Sequence, residues 1–364
     1  MKILVTTDAV GGVWNYSLNL VEALAHRGVE VVLACMGPGP SALQREQLGG
    51  TGSRFYSRPY ALEWMPDPWS DVEQASDWLL QIRDDEQPDL VHLNGYCHAQ
   101  LNWDCPVVVV AHSCVYTWWQ AVHGNRPDIS WHRYYHEVRR GLRSANAVVA
   151  PTASMMVACQ HLYGPLSNAR VIYNGLSMPS EMQSPKEPMV FSMGRLWDDA
   201  KNMAALVEAA ARIDAPVLIA GEPGQWRTEL PANVRLLGYL GSEHKLQFLK
   251  RARVYALPVR YEPFGLSFLE AAHCGCALVG GRIDSLLELW GNAMAYVDPD
   301  DPSELAQTCN RLLQDQDYLQ TMASRACDRA RGYSLATQAA SYYALYRELL
   351  AGADSGQVHL VGAR

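Results

Sequence analysis

The 364-residue sequence has no two cysteines spaced Cys-x-x-Cys, no Gly-Lys dipeptide and no surplus of basic side chains. Each absence excludes something. The nine cysteines are odd in number and scattered through a chain far larger than a disulfide scaffold, which points to free thiols in a reducing compartment. Without Gly-Lys there is no Walker A loop to cradle phosphates. With 30 Lys and Arg against 38 Asp and Glu, and a formal charge of -8, the chain lacks the concentrated basic surface that a constitutive nucleic-acid binder needs. The opening apolar run, Ile3-Leu4-Val5, gives way to Thr6-Thr7-Asp8 and is too short for a secretory signal or a membrane span. A soluble cytoplasmic protein is expected.

What is present is length and apolar content (49%) sufficient for two domains, each with its own core. Short β-branched runs alternate with helical patterns throughout, the mark of parallel sheets wrapped by helices. Strands are expected at 2–6, 30–35, 89–93, 107–111, 147–151 and 170–173, then at 189–192, 216–220, 234–238, 254–257, 277–280 and 295–297. The stretch from Val13 to Arg27 puts Leu18, Val21, Leu24 and Ala25 on one helical face, with Gly28 as the stop. Ser177 to Pro188 carries three prolines and little apolar content, so residues 178–188 read as a linker between domains at 1–177 and 189–333. Three helical stretches close the chain, and the last, from Ser334, aligns Tyr342, Leu345, Tyr346 and Leu349 as a packing stripe. It is expected to pack back on the first domain.

The stretch "RYEPFGLSFLEAAHCGCALVGG" places Glu262 before a Pro-Phe-Gly turn and Glu270 inside the helix that follows. Pro263 suits a helix start, and the amides of Phe264, Gly265 and Leu266 would form an anion site strengthened by the helix dipole. Glu262 then either caps the helix or is directed at something else, such as sugar hydroxyls, while Glu270 could accept hydrogen bonds from a vicinal diol such as a ribose. The plainer alternative is one capping and one solvated glutamate. In "FSMGRLWDDAKNMAALVEA", Arg195 follows a strand and Lys201 opens the next helix, two cations suited to a diphosphate. A surface ion-pair region is the alternative.

Taken together, Glu262-Pro-Phe-Gly-Leu with Glu270-Ala-Ala, Gly194-Arg195-Leu with Lys201-Asn202, Ala220-Gly221, and Val171-Ile-Tyr-Asn174-Gly175 resemble the retaining GT-B glycosyltransferases of family 4. With Gly11-Gly12 after the first strand and the closing helix after Tyr333-Ser334, the resemblance spans essentially the whole chain. It implies two Rossmann-like domains facing each other across a cleft, the first for the acceptor and the second for a nucleotide-sugar donor. It further implies that Arg195 and Lys201 neutralise the donor diphosphate, Glu270 holds the ribose and Glu262 contacts the hexose. The amides of Phe264, Gly265 and Leu266 would bind phosphate or sugar oxygens, Gly11 and Gly12 would let backbone approach the diphosphate, and His112 would stand beside the transferred sugar. No metal or other cofactor is implied. A strand-end imidazole bonded to backbone is the structural alternative for His112.

Other signals are weaker. Gly37-Pro-Gly39-Pro-Ser-Ala42 follows the second strand rather than the first and reads as a loop; Asp298-Pro-Asp300-Asp301 reads as a turn and helix cap. Cys274-Gly-Cys276 and His132/His136 have metal-like spacing without further ligands. Trp14, Trp118 and Trp119 lie where an acceptor would enter, and are also candidates for the core. The basic stretch 132–143, "HRYYHEVRRGLR", is either a solvated helix face or a peripheral contact with anionic lipid at the inner membrane face. Two departures from the family pattern are His92-Leu-Asn94, where relatives commonly show His-x-His, and the longer spacing from Gly280-Gly281 to Glu288. The expected activity is transfer of a hexose from a nucleotide donor, UDP-hexose first and GDP-mannose second, to a saccharide, lipid-linked or aromatic hydroxyl. Alternatives are an epimerase on the same fold and a nucleotide-sugar-binding module without catalysis.

Overall fold

The computed structural model describes residues 1–177, 185–222 and 229–358, with side chains to residue 353. The strands are β1 (Lys2–Asp8), β2 (Glu30–Met36), β3 (Arg54–Ser57), β4 (Leu90–Leu93), β5 (Val107–Val110), β6 (Ala147–Ala150), β7 (Ala169–Val171), β8 (Glu187–Met193), β9 (Val217–Ala220), β10 (Val234–Gly238), β11 (Ala252–Leu257), β12 (Ala277–Gly281) and β13 (Ala295–Val297). The helices are α1 (Gly12–Ala25), α2 (Ala42–Leu48), α3 (Trp69–Glu86), α4 (Val115–His123), α5 (His132–Ser144), α6 (Ala153–Tyr163), α7 (Met203–Ala210), α8 (Ser242–Arg251), α9 (Leu266–His273), α10 (Asp284–Trp290), α11 (Pro302–Gln314), α12 (Gln316–Ala330) and α13 (Leu335–Val358).

The chain divides into two compact units. One holds Met1–Trp119, Asn125–Gly175 and the chain from Leu335; the other holds Gln120–Gly124 and Leu176–Ser334. In the first, the strands run in the order β3-β2-β1-β4-β5-β6-β7, and in the second β10-β9-β8-β11-β12-β13, with every pairing parallel. Both orders run outward in each direction from a first strand, so each sheet has a switch point, β1/β4 in one and β8/β11 in the other. Such points are where doubly wound sheets bind ligands, beyond the carboxyl ends of the strands.

Helices cover both faces of these sheets, so strands such as Val107–Val110 are buried throughout, as continuous apolar runs require. In the first unit, α1 and α13 share a core: Leu20, Val21 and Leu24 pack with Tyr342, Leu345 and Tyr346, all under 6% exposed. Leu349 continues that stripe at its edge. Burial of this kind contributes about 1.5–3 kcal/mol for each large apolar side chain, which holds the last helix to the first unit.

Several details differ from the sequence-based expectation. β3 went unrecognised because "RFYS" is four partly exposed residues at the sheet edge, with no apolar run to mark it. Glu187 and Pro188, expected to end the linker, instead open β8, since proline is tolerated at the start of a strand. Of the rest of the proposed linker, Pro185 and Lys186 have no regular structure and 178–184 lie outside the described residues. The helix follows the Pro-Phe-Gly turn as read, but Pro263, taken to stand just before or at its start, lies further ahead of the first helical residue, Leu266, because Gly265 adopts a left-handed conformation (φ 86°) that separates the turn from the helix. Of the loop read at 37–42, residues 37–41 are loop but Ala42 opens α2 behind the Ser41 cap, while the cap at Asp301, which accepts from the amides of Ser303 and Glu304, is as expected.

Candidate active site

In the second unit, the candidate residues gather at the switch point. β8 ends at Met193, and Gly194-Arg195 leave its carboxyl end; β11 ends at Leu257, and the loop to α9 carries Glu262. Lys201 Nζ lies 2.6 Å from Glu262 Oε2, with the two side chains only 18% and 12% exposed. The loop that presents Lys201 is fixed from below: Asn202, itself left-handed at φ 54°, donates from Nδ2 to the carbonyls of Pro258 (2.9 Å) and Pro299 (2.6 Å). Ser285 of α10, inside the longer Gly281-to-Glu288 segment, donates to the Glu262 carbonyl. Glu262 is therefore no helix cap, and no side chain caps the start of α9.

Glu270, on α9, has a partner that the sequence reading did not supply. Lys245 of α8 places its Nζ 2.6 Å from Glu270 Oε1. Each glutamate thus faces one lysine, and both carboxylates are near enough to act on Tyr255 of β11, which is fully buried. Burial raises the Tyr255 phenol well above its usual range, and the charges of Glu270 and Glu262 push the same way, so both carboxylates act on this ring. Its hydroxyl donates to the Met193 carbonyl at the end of β8. Nothing in the spacing of "SEHKLQFLK" marks Lys245, and Tyr255 reads as a plain strand residue, so neither was legible beforehand.

Arg195 is anchored by Asp198, whose Oδ2 takes its Nη2 at 2.6 Å, and its guanidinium carbon lies 5.2 Å from the centroid of the Trp197 ring. Its Nε is buried without a hydrogen-bond partner, a donor left open in a side chain otherwise 43% exposed. Gly265 sits where a Cβ would come within 2.8 Å of Phe268 Cδ2, so the sharp approach of this turn to α9 requires glycine. Phe264 is buried against Tyr333 with its ring edge-on, which fixes the turn. Leu266 opens the helix and is half-buried.

In the first unit, Gly11 (φ 90°) precedes α1, and both Gly11 and Gly12 are exposed at its uncapped start. His112 follows β5 and is half-buried. Its Nε2 lies 2.8 Å from Asn94 Oδ1, and the Tyr16 ring meets it edge-on at 4.4 Å. It is thus bonded to a side chain rather than to backbone. Burial pushes the His112 imidazole down to about 3, helped by the neighbouring His92, so it is neutral near pH 7. His92 is held down by burial to about 4.

The tryptophans separate. Trp14 is 1% exposed, packs edge-on against Phe55 and donates from Nε1 to Gln47, so it belongs to the core and offers no face to an acceptor. Trp118 and Trp119 are half-buried on α4, their rings 6.0 Å apart, and Trp119 donates to Asn125. On α5, Tyr134, Val138 and Leu142 face the core, while His132, Arg133, His136, Arg140 and Arg143 are exposed. Two of these are already paired, Arg133 with Glu73 and Arg140 with Glu137. No helix among the described residues is long and apolar enough to cross a membrane. All nine cysteines are free thiols.

Residues 10–178 match the family described as Glycosyltransferase Family 4, and residues 187–315 match Glycosyl transferases group 1. A glycogen synthase of Mycobacterium tuberculosis is 27% identical over 334 residues, covering 83% of this chain and 76% of the relative. Among solved structures, a sucrose-phosphate synthase from Thermosynechococcus elongatus superposes with a TM-score of 0.80 at 19% identity, over 97% of this chain and 100% of that one. HepE of Anabaena in complex with UDP-glucose gives 0.76 at 17% identity, over 96% and 100%. At those identities the superpositions speak for the fold. With both units matched in order, this chain belongs to the family 4, group 1 glycosyltransferases and has their GT-B fold.

Proposed function

We propose that this glycosyltransferase moves a hexose from a nucleotide-diphosphate donor, UDP-hexose in preference to GDP-mannose, to a hydroxyl acceptor with retention of anomeric configuration. The observation that carries the reading is the Lys201–Glu262 pair beside the uncapped start of α9, at the switch point of the second sheet. A diphosphate needs fixed positive charge and open amide donors; a hexose and a ribose need carboxylate acceptors. Lys201, the guanidinium of Arg195 with its unsatisfied buried Nε, and the amides of Phe264, Gly265 and Leu266 meet the first requirement. Glu262 and Glu270 meet the second, Glu262 toward the hexose and Glu270 toward the ribose. Lys201 already compensates Glu262 and Lys245 compensates Glu270, so the carboxylates are held in place before a donor arrives.

In this reading the acceptor oxygen attacks C1 on the face from which the diphosphate departs. The C1–O bond breaks ahead of the new one, and the leaving phosphate takes the acceptor proton. Arg195 and Lys201 stabilise the charge that develops on the diphosphate, the work a divalent ion would otherwise do. His112 stands beside the transferred sugar, Gly11 and Gly12 admit the diphosphate to backbone, and Trp118 and Trp119 contact the acceptor. A double displacement through Glu262 is the mechanistic rival. The nine free thiols accord with a reducing compartment, and the exposed basic stripe of α5 with peripheral attachment to anionic lipid.

The test is to supply UDP-glucose, UDP-galactose and GDP-mannose with saccharide, polyprenyl-phosphate and phenolic acceptors, with and without EDTA, and to read the anomeric configuration of the product by NMR. An α-linked product formed in EDTA is expected. Conversion of the donor with no acceptor present would instead make the protein an epimerase, and donor binding without any turnover would make it a binding module.

A further inference from the structure

Beyond β4, in the first unit, Asn94 lies among groups that leave its amide only one orientation. One terminal atom is 2.7 Å from the Thr6 carbonyl oxygen and 3.1 Å from Ser17 Oγ. A carbonyl only accepts, so that atom is the nitrogen Nδ2, and the other is Oδ1. The backbone amide of Asn94 also donates to Thr6 Oγ1 at 2.9 Å, which locks the residue at both ends. Two imidazole nitrogens approach Oδ1: His112 Nε2 at 2.8 Å and His92 Nε2 at 3.2 Å. An oxygen cannot donate, so both nitrogens must carry the proton. On the far side of the His92 ring, Nδ1 lies 2.7 Å from the hydroxyl of Tyr346, which arrives from α13, 254 residues away in sequence, and donates to it. A phenol hydroxyl can pair with either His92 tautomer, so Asn94 sets the proton on Nε2 and Tyr346 then finds Nδ1 as an acceptor.

We propose that Asn94 is the positioning residue for His112, its Oδ1 taking both Nε2–H groups so that His112 is held as the Nε2–H tautomer and its Nδ1 is an acceptor for a hydroxyl of the transferred sugar. The inference rests on the role given to His112 above. It also accounts for the asparagine in His92-Leu-Asn94. A histidine there could accept through one ring nitrogen but has no oxygen with two lone pairs for two imidazoles, whereas an asparagine oxygen serves both. Burial keeps both rings neutral, which leaves Nδ1 of each unprotonated once Nε2 carries the proton. The other titratable groups packed on the two rings are Tyr16 from α1 and Tyr342 and Tyr346 from α13, and burial pushes each phenol above its usual range.

The test is long-range ¹H–¹⁵N NMR of the ¹⁵N-histidine-labelled full chain near pH 7, with His92 and His112 assigned by single His→Gln variants. The expected wild-type spectrum shows both residues with protonated Nε2 and bare Nδ1. A His112 found as the Nδ1–H tautomer, or as a mixture, overturns the proposal, and this arm needs no substituted Asn94. In Asn94→Ala the His112 signals should move to a tautomer mixture and kcat should fall about tenfold, the scale of one hydrogen bond, with donor KM unchanged. An unchanged His112 tautomer in that variant overturns the proposal even if turnover falls. The spectra require no sugar donor, so failure of the glycosyl-transfer reading and failure of this one are read separately.

Discussion

Lys201 Nζ and Glu262 Oε2 are 2.6 Å apart and both largely shielded from water. A pair in such a place adds little net stability, because taking two charges from water costs about as much as their attraction returns. Its position at a strand-switch point is better explained by what it can hold. Lys201→Met should therefore lower stability by roughly 1–3 kcal/mol, since it leaves a shielded carboxylate without its partner, while Lys201→Met/Glu262→Leu should cost clearly less than the sum of the single changes. Transfer should be lost in all three. Urea denaturation with a transfer assay checks both parts; a double variant that retains turnover would contradict the site.

Arg195 is expected to separate function from folding. Its pair with Asp198 leaves the side chain 43% exposed, and such pairs contribute at most about 1 kcal/mol. Arg195→Ala should nevertheless lower kcat/KM by roughly 10²-fold or more, the scale of losing a group that stabilises developing charge. Steady-state kinetics beside a melting curve shows whether the two losses diverge. Unchanged turnover would remove Arg195 from the site.

Gly265→Ala should cost about 1–3 kcal/mol, because alanine at φ 86° is strained and its Cβ would meet Phe268 Cδ2 at 2.8 Å. The same change should weaken donor binding, because it disturbs the amides before α9. Wild-type stability in Gly265→Ala, read from the urea midpoint, would show that the turn is not constrained as described.

Most strand positions and the motif residues were legible because parallel strands are apolar runs and because Gly-Arg, Lys-Asn and the two glutamates stand close to strand ends in sequence. What escaped was set by contacts between distant segments. Lys245 sits on a solvent-facing helix whose pattern gives no hint of Glu270, and Asn94 looks like a departure until Thr6, Ser17, His92 and His112 are seen around it. Trp14 misled for a related reason: its place beside the glycine loop suggested an exposed ring, but it lies two residues into α1 on the face that turns to Phe55 and Gln47. β3 was lost because an edge strand needs too little apolar surface to announce itself.

Acid should destabilise the first unit through its histidines. His92 and His112 titrate at about 4 and about 3 when folded, against roughly 6.5 when unfolded. Below pH 6.5 the unfolded chain binds protons that the folded chain does not, so stability falls as pH drops. The slope is about 1.4 kcal/mol per pH unit for each histidine, and it ends only when the folded groups themselves protonate. Urea midpoints between pH 7 and pH 5 should show this fall, reduced by about one proton's worth in His92→Gln. The same slope in that variant would mean that His92 is not held neutral.

The most direct test of the donor site is a thermal-shift panel with UDP, GDP, ADP and TDP and their hexose conjugates, each with and without EDTA. A ligand at a hundred times its Kd stabilises by roughly 2.7 kcal/mol, enough to rank the bases. The account predicts a base-selective shift, largest for UDP and UDP-hexose, that survives EDTA and is lost in Glu270→Ala. No shift with any nucleotide, or one abolished by EDTA, would contradict it.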